Sequence, residues 1–451
     1  MGHATDRRTG GRLAAVTALA LVAPVLVAAP AHADDAPAED VPVVGHRVET
    51  PAVYDDEGGD ADDPAIWVNP RHAARSLVLG TAKEDGLYVY DLDGRILQHV
   101  PAPDAPSEGD SIGRLNNVNV LYGVEVDDEE TDVAVVSDRG TDQLRVYEID
   151  PSAATRGRAP LTEITDADAA PFIFSADQDE VNEAFTAYGL AAWTEDDDAF
   201  AVVSKSDGAR LALLELDEDD GAVGYEHAAE IDLPTSFELP DGTSWEPCVD
   251  PGELPVVEGM VVDEERDLLY AAYEQVGILR MPTDLSEEPV LVDTVREFGI
   301  PAHYDAATDE CVEGEDPGFG GSLLSADAEG LALYRADDGE GYLIASSQGS
   351  DEFVVYDRDP GTGNAPVGSF RVGNRQDTVV HTDGIEVLNV PMGRFGGGLF
   401  VSQDGENGPD EIGEDGEVRE QTNFKFTRWE DIAAAFEPAL TVDTESWHPR
   451  D

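Results

Sequence analysis

One pattern occurs six times along the chain, and this repeat constrains the fold more than any single motif does. Half of each copy consists of two apolar strands joined by a short polar turn, which is the signal of a β-hairpin. The six hairpin segments are SLVLGTAKEDGLYVYDL, VAVVSDRGTDQLRVYEI, FAVVSKSDGARLALLEL, LLYAAYEQVGILRM, YLIASSQGSDEFVVYDR and GLFVSQDGEN.

A second pattern precedes each hairpin: a polar residue, then a small residue or proline, then apolar residues at alternate positions. This alternation predicts a further strand. Three recognisable strands with room for a fourth, repeated six times, predict an all-β chain folded as a six-bladed β-propeller of four-stranded antiparallel blades. A β-sandwich or a single barrel normally holds fewer strands. The six preceding segments are DDPAIWV, NNVNVLY, AYGLAAW, VEGMVVD, AEGLALY and TDGIEVL.

Strand direction predicts where the polar residues of the repeat lie. If the first strand of a blade starts at one rim, the second strand returns to it, so the first hairpin turn shares that rim. The motif positions are therefore expected around one mouth, where propellers carry functional residues. They are Asp62/Asp63, Asn117, Tyr188, Glu258, Glu329 and Asp383 from strand starts, and Lys83, Arg139, Lys205, Glu274, Gln348 and Asp404 from turns.

The predicted mouth is rich in oxygen donors and lacks a nearby His or Cys. Such a donor set suits Ca²⁺ better than zinc or copper. Without cations these carboxylates would repel one another, so several bound ions are expected. The donors are Asp62, Asp63, Asn116, Asn117, Glu258, Glu274, Asp327, Glu329 and Asp383.

Lysine usage points to an anion at the same mouth. The chain has three lysines, of which Lys83 and Lys205 occupy equivalent turn positions in blades one and three, while Arg139 occupies that position in blade two. Cations beside an acidic, metal-binding mouth favour a multiply charged anion such as phosphate. The alternative is that all three are ordinary turn residues.

A separate acidic turn, Gln403 to Asn407, resembles a calcium-binding turn that fixes the last blade, with Asp404, Glu406 and Asn407 as ligands. A plain acidic loop is the alternative. The chain shows no Ser-His-Asp arrangement and no RHGxRxP run, and its acidic ring is too rich to single out a pair of glycosidase carboxylates.

The net charge of −70 disfavours nucleic acid and anionic membranes as partners. A salt-adapted surface and neutralisation by divalent cations both explain this charge, and both stay open. Cys248 and Cys311 lie in loop-like segments, and an even cysteine count in an exported chain predicts one disulfide between them.

Residues 1–33 read as a signal peptide, with basic residues, an apolar run and a terminal Ala31-His32-Ala33. The export route stays open, because Arg7-Arg8 is a poor twin-arginine match. The predicted organisation continues with a flexible segment over 34–50, the propeller over 51–440 and a tail over 441–451. A secreted, extracellular protein is expected.

Several of these strings together resemble the β-propeller phytases, over a span from about Asp62 to Phe436. Their order along the chain makes the resemblance specific. The strings are DDPAIWVNP, GTAKEDGLYVYDLDG, LNNVNVLYG, EGMVVD, DAEGLALY, GYLIASSQG, HTDGIEVL, GLFVSQDGEN and NFKFTRWEDIA.

The resemblance implies a secreted, calcium-dependent phosphomonoesterase of the 3-phytase type, expected to be a monomer that acts on calcium phytate. In this family a metal-bridged water attacks phosphorus directly, releasing phosphate and lower inositol phosphates. Lys83, Arg139 and Lys205 would hold substrate phosphates, and Asp62 and Asn117 look like further members of the ring. The residues that would carry catalytic calcium are Asp63, Tyr188, Glu258, Glu274, Asp327, Glu329 and Asp383.

The chain also departs from the family pattern. Glu84-Asp85 follow Lys83 where a second lysine is common, and Asn119 and Gln275 stand where acids are usual. Two other functions stay open from the residues alone. One is a calcium-stabilised propeller that only binds an anion or a surface partner, and the other is a propeller lactonase or sugar hydrolase with one deep calcium.

Overall fold

The structure is a computed structural model that describes residues 41–450 except 55–57, 128, 167–168, 196–197, 309, 376, 414–415 and 417. Six antiparallel sheets follow one another along the chain. The first strand of each sheet contacts the first strand of the next, and the first strand of sheet six contacts that of sheet one, which closes a ring. The prediction of a six-bladed β-propeller is confirmed.

Blades one to three are regular four-stranded meanders, in which every strand pairs with its sequence neighbour. Blade one comprises Pro64–Trp67, Leu77–Thr81, Leu87–Asp91 and Ile96–Val100; blade two comprises Leu115–Val126, Glu129–Asp138, Gln143–Ile149 and Leu161–Glu163; blade three comprises Ala187–Glu195, Asp198–Lys205, Arg210–Asp219 and Ala222–Asp232.

Blades four to six repeat this order, but blade six takes its outer strands from the N-terminal region. Blade four comprises Val257–Asp263, Leu268–Tyr273, Gly277–Pro282 and Val290–Thr294; blade five comprises Ala328–Arg335, Gly341–Ser347, Glu352–Asp357 and Pro366–Val372; blade six comprises Ile385–Leu388, Leu399–Asp404 and Gln421–Arg428.

Short N-terminal strands complete the last two sheets. Val43–Val44 pairs in parallel with the outer strand of blade five, while Val48–Glu49 and Val53–Tyr54 pair with Gln421–Arg428 of blade six. Part of the segment predicted as flexible thus lies in the propeller sheets. The predicted domain limits stay predictions, and the signal peptide over 1–33 lies outside the described residues.

The predicted disulfide is confirmed, since Cys248 and Cys311 are bonded with their Cα atoms 6.0 Å apart. Cys311 lies in a hairpin formed by Ala302–Asp305 and Glu310–Glu313. Cys248 follows a smaller hairpin, Phe237–Glu238 with Ser244–Trp245. Both excursions flank blade four. A third small hairpin, in blade six, pairs Glu411–Ile412 with Val418–Arg419.

The described helices are short. The α-helices are Pro151–Thr155, Gln178–Asn182 and Trp429–Ala433, and the 3₁₀ turns are Ala73–Arg75, Glu264–Arg266, Asp337–Gly339, Gln348–Ser350 and Pro360–Thr362. Within the described residues, none of the helices has the length and apolar character needed to cross a membrane.

The core lies between the blades rather than in one central layer. Leu79 and Val89 of blade one pack with Val118 and Val136 of blade two, and all four side chains are fully buried. Alternate strand residues face opposite sides of each sheet, so every blade presents apolar side chains to both neighbours. This packing fixes where the innermost strands begin.

Candidate active site and metal centre

The innermost strands of blades two to five bulge where the predicted site residues lie. In blade four, Val257 pairs with Tyr273 and the next pair involves Met260, so Glu258 is left out of the ladder. A bulge of this kind turns side chains out of the regular sheet. The same irregularity occurs at Asn116–Asn117, Tyr188–Gly189 and Glu329–Gly330.

In blades three to six a glycine follows the polar residue, because the neighbouring blade comes very close. A Cβ on Gly259 would lie 2.4 Å from the carbonyl oxygen of Glu329, and one on Gly330 would lie 2.6 Å from that of Asp383. Only a residue without a side chain fits such an approach. The small residue of the repeat therefore lets acids of adjacent blades share one mouth.

Buried hydroxyls tie the strand starts of neighbouring blades together. Ser137 Oγ of blade two donates to the carbonyl of Tyr188 at 2.6 Å, and Ser204 Oγ of blade three donates to the carbonyl of Val257 at 2.5 Å. Buried polar groups that are satisfied in this way hold a single arrangement. The strands that carry Tyr188 and Glu258 are therefore fixed against the neighbouring blades.

Most of the predicted mouth residues line one cavity of about 210 Å³. Strand starts and first turns do share a rim, as strand direction predicted. The lining side chains are Asp62, Lys83, Arg114, Asn116, Arg139, Tyr188, Glu258, Glu274, Asp327, Glu329, Gln348 and Asp383.

Three buried carboxylates form the centre of this cavity. Glu258, Glu274 and Glu329 each offer an oxygen within 4.8 Å of the other two. Tyr188 donates its hydroxyl to Glu258 Oε2 at 2.5 Å, and Asn116 Nδ2 donates to Glu258 Oε1 at 2.8 Å. Neutral donors thus hold Glu258 in place without cancelling its charge.

Lys83 is a cation of the cavity lining that pairs with carboxylates beside this acidic centre. Its Nζ lies 3.2 Å from Asp62 and 3.5 Å from Asp383, and Asp60 is a third partner at 2.5 Å. Burial opposes the charge of Lys83, but these carboxylates raise its pKa above the ordinary lysine value. Lys83 is therefore a permanent cation that joins blades one and six.

The remaining acids carry more negative charge than Lys83 can balance. Burial, followed by neighbouring carboxylates, raises the pKa of Glu274 and Glu329 well above the ordinary range. Burial likewise raises the pKa of Asp383 to about 7, although Lys83 opposes the shift. Such shifts mark a cluster that would ionise fully only with added positive charge.

Several oxygens in the cluster also lack a hydrogen-bond partner among the described residues. They are Asp62 Oδ2, Asn116 Oδ1 and Glu329 Oε2, and all are buried. A buried oxygen without a donor is costly, and a bound cation removes that cost. The residues present therefore fit a hard metal ion, since their donors are carboxylate and amide oxygens.

Four predicted mouth residues lie outside the cavity lining, and one of them, Asp404, belongs to a separate cluster in blade six. Asp63 is buried behind the rim, where its Oδ2 accepts from the backbone N–H of Val118 at 3.0 Å. Asn117 accepts from Asn116 Nδ2 through its side-chain oxygen, also at 3.0 Å. Lys205 ends its strand at the mouth side, but its Nζ lies over the ring of Phe185, 5.4 Å from the centroid. Their predicted roles stay predictions.

The acidic turn of blade six is a separate cluster. Lys425 Nζ lies 3.2 Å from Asp404 and 2.8 Å from Asn407 Oδ1, and it also contacts Asp377 and Glu49. A lysine ammonium thus lies among the donors that the sequence suggested for calcium. The third predicted ligand, Glu406, has a side chain that is 72% exposed.

Arg114 was not among the predicted residues, but it lines the cavity three residues before Asn117. A basic residue next to the repeated strand of so acidic a chain could have indicated a site for an anion. The role of Gln275 was also unforeseen, since its Nε2 donates to Glu274 at 2.9 Å and to Asp327 at 3.2 Å. The amide bridges two acids where another acid would add repulsion.

Comparisons with known proteins agree on the family. The model of the family described as Phytase matches residues 11–226 and 301–451. The chain is also similar to the 3-phytase of Bacillus subtilis (strain 168), with 32% identity over 400 residues that cover 87% of this chain and 84% of the relative.

Solved structures give weaker likenesses. The calcium-binding protein regucalcin from Agrobacterium tumefaciens str. C58 has a TM-score of 0.40 and 11% identity, with coverage of 86% of this chain and 96% of that chain. A luciferin-regenerating enzyme has a TM-score of 0.38 and 8% identity, with coverage of 88% and 97%. Scores this low do not constrain function. On the sequence matches, the chain belongs to the phytase family and is a phosphoric monoester hydrolase with a six-bladed β-propeller fold.

Proposed function

We propose that this chain is a calcium-dependent phytase that releases inorganic phosphate from myo-inositol hexakisphosphate. One observation carries the proposal. A buried carboxylate trio, Glu258, Glu274 and Glu329, shares a cavity with the cationic side chains of Lys83 and Arg139. Acids without counter-ions suit bound cations, and the basic residues beside them suit a phosphate.

Calcium is the cation that the donor set favours. The trio, Asp62 and Asp383 would hold it, since all are oxygen donors and calcium accepts six to eight of them. When bound, Ca²⁺ would neutralise phosphate charge and lower the pKa of a coordinated water toward neutrality. Asp327 and Asn116 offer further oxygens at the edge of the same cavity.

The other side chains of the mouth would bind the phosphate or hold the carboxylates in position. Lys83 and Arg139 would bind the equatorial phosphate oxygens and stabilise charge that develops during phosphoryl transfer. Tyr188 keeps Glu258 oriented through its hydroxyl, and Arg139 lies over the Tyr188 ring at 4.8 Å from the centroid. Gln348 Nε2 fixes Asp383 by donating to its Oδ1 at 2.8 Å.

The preferred substrate should carry neighbouring phosphates. One phosphate would meet the carboxylate and metal centre, while a second would bind the cationic side of the mouth and orient the first. This arrangement favours phytate over an isolated monophosphate. Equal turnover of both substrates would contradict it.

Export is part of the proposal. The predicted leader over residues 1–33 and the Cys248–Cys311 disulfide both fit an oxidising, extracellular location. We propose that the mature enzyme acts outside the cell as a monomer on calcium phytate. Secretion of the full chain, followed by N-terminal sequencing, tests the cleavage after Ala33.

The direct test is phosphate release from calcium phytate, measured with calcium and with the chelator EGTA. Wild type should lose activity in EGTA and regain it when calcium is restored. Glu258→Gln and Lys83→Ala should both be strongly impaired, whereas Glu226→Gln, on the exposed outer strand of blade three, is a matched control. Activity that survives chelation would rule out the metal requirement.

A further inference from the structure

Arg114 is a cavity residue to which the proposed mechanism gives no role. It directly precedes the innermost strand of blade two and lines the mouth cavity with Lys83 and Arg139. Its side chain is 32% exposed, and Nη1 lies 3.7 Å from Oε1 of Glu84. A guanidinium open to solvent at the edge of a phosphatase site is available to a substrate.

The backbone holds the three cationic residues in a fixed series. The N–H of Leu115, next to Arg114, donates to the carbonyl of Lys83 at 3.1 Å, and the N–H of Arg139 donates to the carbonyl of Arg114 at 2.8 Å. The N–H of Arg114 itself donates to Asp138 Oδ1 at 2.9 Å. Lys83, Arg114 and Arg139 thus form a backbone-linked series that we call the cationic arc.

The members of the cationic arc differ in how strongly the protein engages them. Lys83 contacts three carboxylates, and Arg139 stacks over Tyr188. Within the part of the chain that the structure describes, Arg114 forms one long ion pair, with Glu84, whose side chain is 45% exposed. Exposed pairs of this kind contribute little free energy, so an incoming phosphate can replace Glu84 at small cost.

We infer that Arg114 binds a second phosphate of the substrate, and that Glu84 is its counter-ion in the free enzyme. This inference rests on the proposed function and deepens it. A guanidinium pairs with two phosphate oxygens at once, which fixes orientation as well as charge. The Glu84 carboxylate must then leave Arg114 as the phosphate arrives, so Glu84 lowers affinity for the substrate.

The inference makes a prediction about substrate type. A ligand with adjacent phosphates can reach both the carboxylate centre and Arg114, whereas a monophosphate at the centre leaves Arg114 with Glu84. Loss of Arg114 should therefore act mainly on KM for phytate, because it removes binding rather than a reacting group. Loss of the Glu84 charge should act in the opposite direction.

The experiment compares Arg114→Ala, Arg114→Lys, Glu84→Gln and the double variant with wild type, using phytate and p-nitrophenyl phosphate. Arg114→Ala should raise KM for phytate about tenfold more than KM for the monophosphate, as expected for a lost charged hydrogen bond. Arg114→Lys should fall between it and wild type. Glu84→Gln should lower KM for phytate about twofold, an effect that should vanish when Arg114 is also Ala.

A matched control is Arg95→Ala. Arg95 also forms an exposed ion pair, with Asp93 at 2.9 Å, but it lies in the turn between the third and fourth strands of blade one, at the opposite end from the mouth. Its kinetics should equal those of wild type. Circular dichroism and thermal denaturation confirm that each variant is folded.

Binding of myo-inositol hexakissulfate, measured by calorimetry, separates this inference from the proposed function. Weaker binding by Arg114→Ala supports the role of Arg114 even if wild type releases no phosphate, a result that would overturn the proposed function alone. An active wild type with an unchanged Arg114→Ala, or with equal KM losses on both substrates, would overturn the inference alone.

Discussion

Buried carboxylates occur at both ends of the propeller, but their surroundings differ. At the mouth, Glu258, Glu274 and Glu329 face one another, and the hydrogen bonds that they receive come from neutral groups. At the opposite end, Asp263 finishes the innermost strand of blade four and accepts from Arg358 Nε and Arg266 Nη1, both at 2.9 Å. Arg358 comes from blade five, so this ion pair joins two blades.

This difference distinguishes carboxylates that stabilise the fold from carboxylates that can bind a ligand. An acid that is buried with an arginine is satisfied within the protein, whereas an acid that is buried among other acids needs a cation from solution. At the far end, Asp263 is paired with two arginines. The mouth acids are therefore the ones to test for metal binding.

The largest expected effect comes from Glu258→Gln at the mouth. Phosphate release from calcium phytate should fall by about 10³-fold, because a carboxylate that would hold the metal becomes neutral. In EGTA the variant should melt at the same temperature as wild type or higher, because one repelling charge is gone. If the variant in EGTA melted well below the melting temperature of wild type, Glu258 would be a structural acid like Asp263.

Asp263→Asn, at the opposite end, should behave in the reverse manner. The change leaves the fully buried Arg358 without its main counter-ion and should cost about 3 kcal/mol in the free energy of unfolding. Urea denaturation measures this loss. Activity per folded molecule should stay close to wild type, and a selective loss of activity would show that the two ends are coupled.

The pH dependence of stability provides a third test. Asp383 keeps its proton up to a pKa of about 7 in the folded protein, whereas in the unfolded chain it ionises near the ordinary value of 3.8. Between these values the unfolded state binds fewer protons, so the metal-free protein loses stability as pH rises toward 7. We expect a loss of about 2 kcal/mol between pH 5.5 and pH 8 in EGTA.

Saturating calcium should abolish that loss, because bound cations stabilise the ionised carboxylates. Thermal denaturation at both pH values, with calcium and with EGTA, measures the effect. Asp383→Asn is the matched variant and should show a flatter pH profile in EGTA. Equal pH profiles for wild type with and without calcium would contradict the prediction.

The smallest expected effect concerns Arg450. Its Nη1 donates to Asp132 Oδ1 at 2.7 Å, and Trp67 Nε1 also donates to Asp132, at 2.7 Å. Because Trp67 remains as a partner and Arg450 is partly exposed, Arg450→Gln should cost about 1 kcal/mol. Chemical denaturation measures the cost, and a change in phosphate release would contradict a purely structural role.

The repeat predicted the fold and the shared rim because both follow from strand direction and alternation. Tyr188 and Glu258 occupy the same position of the repeat, which made it predictable that their side chains share one mouth. Pairings between distant segments were harder. Asp263 and Arg358 belong to different blades, and nothing local to either residue identifies its partner.

Other features of the structure were not predicted because no position of the repeat specifies them. Lys205 occupies the predicted turn position, but it leans on Phe185, a contact that no repeat position specifies. Arg114 stands just before the repeated strand motif and occupies none of the motif positions. Val48–Glu49 is too short to show alternation, and its pairing with Gln421–Arg428 forms only in the folded ring.

That last pairing bears on how the enzyme is made. Blades one to five can be complete on a ribosome before residues 421–428 emerge, but blade six then still lacks the strand that joins it to Val48–Glu49. The contact between Lys83 of blade one and Asp383, at the start of blade six, depends on that closure. A chain without residues 421–428 would therefore leave the ring open at blade six, and its mouth would lack the contact that joins the first blade to the last.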